Sequence, residues 1–340
     1  NYGTWPYYKN LTINTSASGA NVTGNVFKVP ILVRLSAADS VNKLRAENIR
    51  FTKVDGVTRL NHQIERLDSA LQVAEVWVLL DTVYGNNSTQ TIRMYWGKSG
   101  VSDSSNARAV FDTANGFQAV WHLGESTDST VKDATVNNFS GTPATTGTGG
   151  NPFDTVGVIG RAKSFHVTTV ASNAGTAGAY YTIPGTASSK LNFPEQSIYT
   201  LSAWVYAYSI PATANSGVAI INKGDNQWTL AAYDAAASPK YWEITTRANN
   251  AYLQCRSNNA TPGPVTTANS SVGAWHHIVG NYTGAAVSGA VAESLYYDGK
   301  LISVLSSTNT NTTGRAETFN VYIGALGGGT APGSSVTRGQ

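Results

Sequence analysis

Charge, cysteine and long apolar runs are all scarce in this chain of 340 residues. Asp, Glu, Lys and Arg together make up 13%, about half the roughly 25% usual for soluble globular domains. The net charge is +3, and Lys and Arg form no run along the sequence. That argues against the electrostatic footprint of a nucleic-acid binder. One cysteine, Cys255, excludes an intrachain disulfide. It sits in the alternating stretch Ala251-Tyr252-Leu253-Gln254-Cys255, which reads as a small hydrophobe buried on a strand. No apolar run approaches the ~18 residues that span a membrane. Asn1 opens directly into folded-looking sequence, the expectation for a mature or trimmed chain.

What fills the space is Ser, Thr, Asn, Gly and Ala, with an apolar fraction of 41% that excludes global disorder. Such a neutral surface, rich in hydroxyl and amide groups, suits sugars or other uncharged polymers better than phosphates. Short β-branched or aromatic segments bounded by Gly, Asn, Asp or Ser recur throughout, among them 29–35, 74–80, 91–96, 199–206, 218–222, 227–233, 241–245, 275–282 and 294–297. Asp55-Gly56 and Asp298-Gly299 read as two-residue hairpin turns. One short helix is expected over 37–46, and 141–151, rich in Thr and Gly, reads as a long loop. The Ser, Asn and Gly passage from Gly97 to Ala109 marks a domain junction. The expected fold is all-β, with two β-sandwich domains at 1–109 and 110–340.

The second part carries an ordered set of segments: Ala119-Val-Trp-His-Leu-Gly-Glu125, Asp133 to Gly141, Gly160 to Phe165, Tyr181-Thr-Ile-Pro184, Leu201-Ser-Ala-Trp-Val205, Trp275-His-His-Ile-Val279 and Leu295 to Lys300. In this order they resemble the laminin-G-like branch of the concanavalin A-like lectin/glucanase superfamily, which implies a jelly roll. Two departures stand out. His166-Val167 follows Phe165 where the family often has Asp-Gly, and the closing Asp-Glu strand has no counterpart before Gln340. The second sandwich is therefore expected to lack its last strand or to borrow another segment. The first part carries Trp5 to Ile13, Pro30 to Leu35, Ile49-Arg-Phe51, Ile64-Glu65, Ala74 to Val78 and Met94-Tyr-Trp-Gly97. These resemble a bacterial domain of unknown function that commonly precedes laminin-G-like modules in exported proteins, some of them of the MotA/TolQ/ExbB type. That resemblance implies an extracellular, cell-surface or periplasmic location and no assigned chemistry.

Catalytic signatures are missing. Glycoside hydrolysis needs two carboxylates at a fixed separation, and no strand carries acids at suitable alternate positions. Glu125, Asp128 and Asp133 are close in sequence. They read either as solvated loop carboxylates or, with Asn137 or Asn138, as an oxygen-rich calcium site. The histidines His62, His122, His166, His276 and His277 fit no zinc spacing, and the adjacent pair must point to opposite faces of a strand. There is no Gly-x-Ser-x-Gly elbow, and 147–150 lacks the setting of a phosphate cradle. Aromatics are abundant, with 17 Tyr and 8 Trp. Trp77, Trp121, Trp204 and Trp275 are assigned to the core. Trp228, Tyr233, Tyr241 and Trp242 are the candidate ligand-binding residues, since sugar rings stack on such faces. The expected function is a non-catalytic binding or adhesion module for glycans or a surface polymer. The alternatives are a structural part of an envelope assembly with protein partners, or a glycoside hydrolase. Neither a nucleic acid nor a membrane span enters these readings.

Overall fold

The computed structural model describes the chain except residues 1, 126–128, 147–149, 166–177, 194–196, 209–215, 225–226, 236–237, 249–250, 258–272, 285–290, 308–317, 326, 329–330 and 333–340. It divides into two compact units. One comprises residues 1–122 with 133–138, the other 123–132 with 139–340. Among the described residues no helix is long and apolar enough to cross a membrane.

The first unit is built from β1 (Tyr7–Ile13), β2 (Val26–Leu35), β3 (Arg50–Lys53), β4 (Arg59–Leu60), β5 (His62–Asp68), β6 (Val73–Val83) and β7 (Gln90–Trp96). A four-stranded sheet, β1-β7-β3-β4, and a three-stranded sheet, β2-β6-β5, form its two layers. Strand β6 alternates buried and half-buried residues along most of its length, so Val76 and Val78 enter a core shared with Phe51, Ile92 and Met94. Pro30 is tolerated because β2 is an edge strand.

Two local expectations, the helix at 37–46 and the hairpin at Asp55-Gly56, do not hold. Residues 37–46 form no α-helix. Short 3₁₀ turns at Ala37–Asp39, Val41–Lys43 and Ala46–Asn48 replace it, interrupted where Ser40 takes a left-handed φ of 58°. Asp55-Gly56 is no two-residue hairpin either, since β3 ends at Lys53 and β4 begins at Arg59. The Asp55 carboxylate instead accepts from the Val57 and Thr58 backbone N–H groups at 2.9 Å each, closing a wider loop. The junction expected over 97–109 lies inside the first unit. A short helix, α1 (Ala107–Val110), begins within it, capped by the Asn106 side chain. Val110, Phe111 and Ala134 then bury against Trp77, Leu79, Phe117 and Val120. The outward side of β6 needed an apolar cover, and residues 107–122 supply it.

The second unit contains β8 (Thr142–Thr146), β9 (Phe153–Val156), β10 (Arg161–Ser164), β11 (Gly178–Ile183), β12 (Ile198–Tyr206), β13 (Ser216–Lys223), β14 (Trp228–Ala235), β15 (Ser238–Ala248), β16 (Ala251–Arg256), β17 (Trp275–Thr283), β18 (Val291–Tyr297), β19 (Lys300–Ser307) and β20 (Val321–Ile323). Seven of these form one sheet, β16-β15-β14-β13-β20-β11-β8, and β12-β17-β18-β19 form a second. The two face each other as in a jelly-roll sandwich. A Cβ on Gly280 of β17 would lie 2.7 Å from the Ile244 Cδ1 of β15, so glycine there lets the layers meet closely. Asp298 and Gly299 both take positive φ, 48° and 77°, as a two-residue primed turn between β18 and β19 requires. Part of the expected loop at 141–151 is instead the edge strand β8, and β20 sits between β13 and β11. The sheet therefore obtains an inner strand from residues 321–323. Cys255 is fully buried, and desolvation pushes its thiol up to about 11, the behaviour of a packing residue.

Candidate functional site

The aromatics expected at the surface are mostly inside. Trp228 and Trp242 are each 1% exposed and Tyr241 is 5%; the Tyr233 side chain lies outside the described residues. Neighbouring residues on β15 do point to opposite faces, but both faces are covered. Trp242 looks inward to Tyr297, with ring centroids 6.5 Å apart. Trp228 donates its Nε1–H to the Leu191 carbonyl at 3.0 Å and lies beside Phe193. Tyr241, on the other face, is roofed by the Arg256 guanidinium at 5.2 Å.

That other face of the seven-stranded sheet carries a buried polar cluster centred on Glu243. Its Oε1 accepts from Thr245 and from Gln254 Nε2 at 3.2 Å, and its Oε2 from Arg256 Nε at 2.6 Å. Nearby, Asn222 donates to Thr229 at 2.6 Å. Glu243 is the one carboxylate among these side chains. Glu293, also fully buried, belongs to another environment, where its Oε2 accepts from the Cys255 N–H at 3.0 Å.

The four-stranded sheet exposes what the seven-stranded sheet hides. Along β12, Tyr199 and Leu201 point inward, while Ile198, Thr200, Ser202 and Trp204 are exposed. Register places Trp204 opposite His277, Tyr206 opposite Trp275, and Thr200 opposite Asn281. Trp204 is 45% exposed and stacks on the His277 ring at 5.0 Å. His277 Nε2 shares a hydrogen bond of 2.8 Å with Ser202 Oγ. Partial burial lowers the His277 pKa from its ordinary value, against the opposing pull of Asp298. Tyr206 bridges Trp275, at 5.7 Å, and Tyr208, at 4.9 Å; Tyr208 is 57% exposed. Thr200 Oγ1 donates to Asn281 Oδ1 at 2.9 Å. The result is a row of rings with free surface, flanked by hydroxyl and amide groups. Assigning Trp204 and Trp275 to the core was mistaken, since Trp275 is half-buried and Trp204 exposed. A signal existed: Trp204 shares its strand parity with the polar Thr200 and Ser202. Trp77 and Trp121 are half-buried in the first unit, where Trp77 Nε1 donates to Glu65 at 3.1 Å and His122 Nδ1 lies 2.7 Å from the same oxygen.

The acids proposed for calcium can be followed only singly. Asp128 lies outside the described residues, and Glu125 and Asp133 belong to different units. Asp133 Oδ1 accepts from the Val120 and Thr135 N–H groups at 3.0 and 2.9 Å, and Oδ2 from Thr135 Oγ1 at 2.8 Å. Glu125 Oε1 accepts from the Lys132 N–H at 2.7 Å. Among the described residues no group of three His, Cys, Asp or Glu side chains is placed to hold a metal ion.

Residues 175–336 match the family described as the concanavalin A-like lectin/glucanases superfamily, and residues 45–128 match a domain of unknown function (DUF2341). The C-terminal part resembles the lectin/glucanase superfamily. The N-terminal part resembles the uncharacterised domain, and the laminin-G-type match begins just before β11 and runs past β20. No curated protein sequence matches the chain. Among solved structures, tailspike protein 2 of the Escherichia coli O157:H7 bacteriophage CAB120 is similar over 56% of this chain and 24% of its own, at 12% identity and a TM-score of 0.34. Botulinum neurotoxin type C, whose cell entry depends on two ganglioside molecules, is similar over 61% of this chain and 42% of its own, at 15% identity and 0.35. A heptameric pentraxin from Limulus polyphemus covers 47% and 69%, at 14% and 0.28. The chain thus spans less than half the length of the first two, and at these values neither their ligands nor their activities transfer to it.

Proposed function

We propose that the chain is a non-catalytic, exported carbohydrate-binding module that holds an uncharged glycan along the row Trp204, Trp275, Tyr206 and Tyr208. The observation that carries this reading is Trp204: a large ring kept exposed on a regular strand, stacked on the His277 imidazole. Pyranose rings present C–H faces that pack on such surfaces, while Ser202 and Asn281 offer hydrogen bonds to hydroxyls. Exposed aromatics of this size in a line mark a contact surface rather than the scattered apolar residues of any protein. The superfamily likeness of the same unit supports a sugar as the partner. Calcium has no part in this reading, because the row contains no carboxylate.

A glycan array with the intact chain tests it, followed by titration of the best neutral oligosaccharide against W204A. Binding weakened at least tenfold by that substitution supports the proposal. A folded chain that binds no neutral glycan, or one indifferent to W204A, defeats it.

A further inference from the structure

The outward face of the first unit's four-stranded sheet gathers cations that the sequence scatters. Register sets Tyr8 beside Tyr95 and Asn10 beside Arg93 on β1 and β7. It also sets Tyr95 beside Arg50 and Arg93 beside Thr52 on β3, and Thr52 beside Arg59 on β4. Since alternate residues share a face, Arg50, Arg59 and Arg93 lie on one side of the sheet, while Phe51, Ile92 and Met94 fill the core on the other. Lys98 joins them from beyond β7, its Nζ 6.0 Å from the centroid of the Trp5 ring.

The cations differ in role. Arg50 is buried, and its guanidinium is spent on the carbonyls of Glu47, Ile49 and Ser102. Arg59 is exposed and makes no ion pair among the described residues. Burial, and then the Arg59 charge, lowers the Arg50 pKa from its ordinary value, while Tyr2 and Asp103 pull the other way. Arg93 is fixed by Asn10 Oδ1 at 3.1 Å and lies over the Tyr8 ring at 5.2 Å. The loop at Gly56 closes over it: with a φ of 70°, a Cβ there would lie 3.0 Å from Arg93 Nη1 and 2.8 Å from the Tyr95 hydroxyl. The nearby carboxylates are Asp55 and Asp103, two against four cations.

We infer that this face binds an acidic polysaccharide, with Arg59, Arg93 and Lys98 engaging its carboxylates and Asn10 and Thr12 its hydroxyls. Charge complementarity favours an anionic partner, and guanidinium forks match carboxylates in geometry. The rings decide between a sugar acid and a nucleic acid. Single-stranded nucleic acid needs open ring faces on which bases stack. Here Arg50 and Lys98 sit over Trp5, at 5.4 Å for Arg50, and Tyr95 is buried, so Tyr8, 61% exposed with Arg93 against it, offers one open ring and no succession of them. The rings stand beside the cations, and with a single exposed ring the face presents charge more than a stacking track.

The test uses the whole chain and calorimetric titration with polygalacturonate, dextran and a single-stranded oligothymidine at 50 mM salt. Polygalacturonate is expected to bind and to weaken at least tenfold for the triple variant R59Q/R93Q/K98Q, with W204A leaving it unchanged. R93K, which keeps charge but loses the fork, is expected to fall between. Should the triple variant fail to fold, exposed R59Q alone is expected to cost about threefold. Absence of polygalacturonate binding, indifference to R59Q, or tighter binding of oligothymidine would each overturn the inference. Dextran and W204A report on the second unit's row, so the two readings fail separately.

Discussion

Two tryptophans, Trp5 in the first unit and Trp204 in the second, show how similar rings serve opposite ends. Trp5 has cations over its ring, whereas Trp204 has the His277 imidazole beside it and solvent around it. In the first case the ring is a base on which charge is mounted; in the second the ring itself is the contact surface. The neighbouring strands carry the same contrast. In the first unit Tyr8 and Tyr95 have an Arg as diagonal or cross-strand neighbour, and in the second Trp204 has His277 opposite and Tyr206 has Trp275.

The largest way to separate the units is acid. His62 is completely buried against Phe51, and burial, then the charges of Arg50 and Arg59, lower its pKa from 6.5 to about 4. The unfolded chain binds this proton more readily, so His62's contribution is intact above pH 6.5 and is lost as pH falls towards 4. The loss for the first unit reaches about 3 kcal/mol. Chemical denaturation at pH 7 and pH 4, with H62L as the variant that removes this slope, checks it. Next in size, W204A is expected to cost about 2 kcal/mol in neutral glycan affinity and to leave acidic polysaccharide binding untouched. Raising salt from about 50 to 200 mM should weaken the acidic ligand by roughly three- to tenfold while sparing the neutral one, and parallel titrations would show it. Smallest is Y8L. Removing the ring under Arg93 should cost about 0.5–1 kcal/mol in polygalacturonate affinity, and an unchanged value would deny the ring its supporting role.

Strands were readable wherever β-branched runs met turn residues. Segments such as 74–80 and 275–282 lie within β6 and β17 almost end for end. Asp298-Gly299 revealed its turn because that turn needs two positive φ angles, whereas at Asp55-Gly56 only Gly56 is left-handed and the same dipeptide closes a wider loop. The sites were harder to see. Burial of Tyr241 and Trp242 depends on what covers each face, which no local pattern states. Arg50, Arg59, Arg93 and Lys98 meet only after β3, β4 and β7 pair, so a search for adjacent basic residues passes over them. Trp204 was within reach through its parity with Thr200 and Ser202.

The short strand β20 has a consequence for synthesis. It hydrogen-bonds to both β13 and β11, yet Val321 leaves the ribosome long after Lys223 and Ile183. Until then the two halves of the seven-stranded sheet expose unsatisfied edges of the kind that recruit other chains. Shortening the gene before Val321 should therefore yield inclusion bodies rather than a smaller soluble lectin-like unit, and late closure makes folding of this half slow.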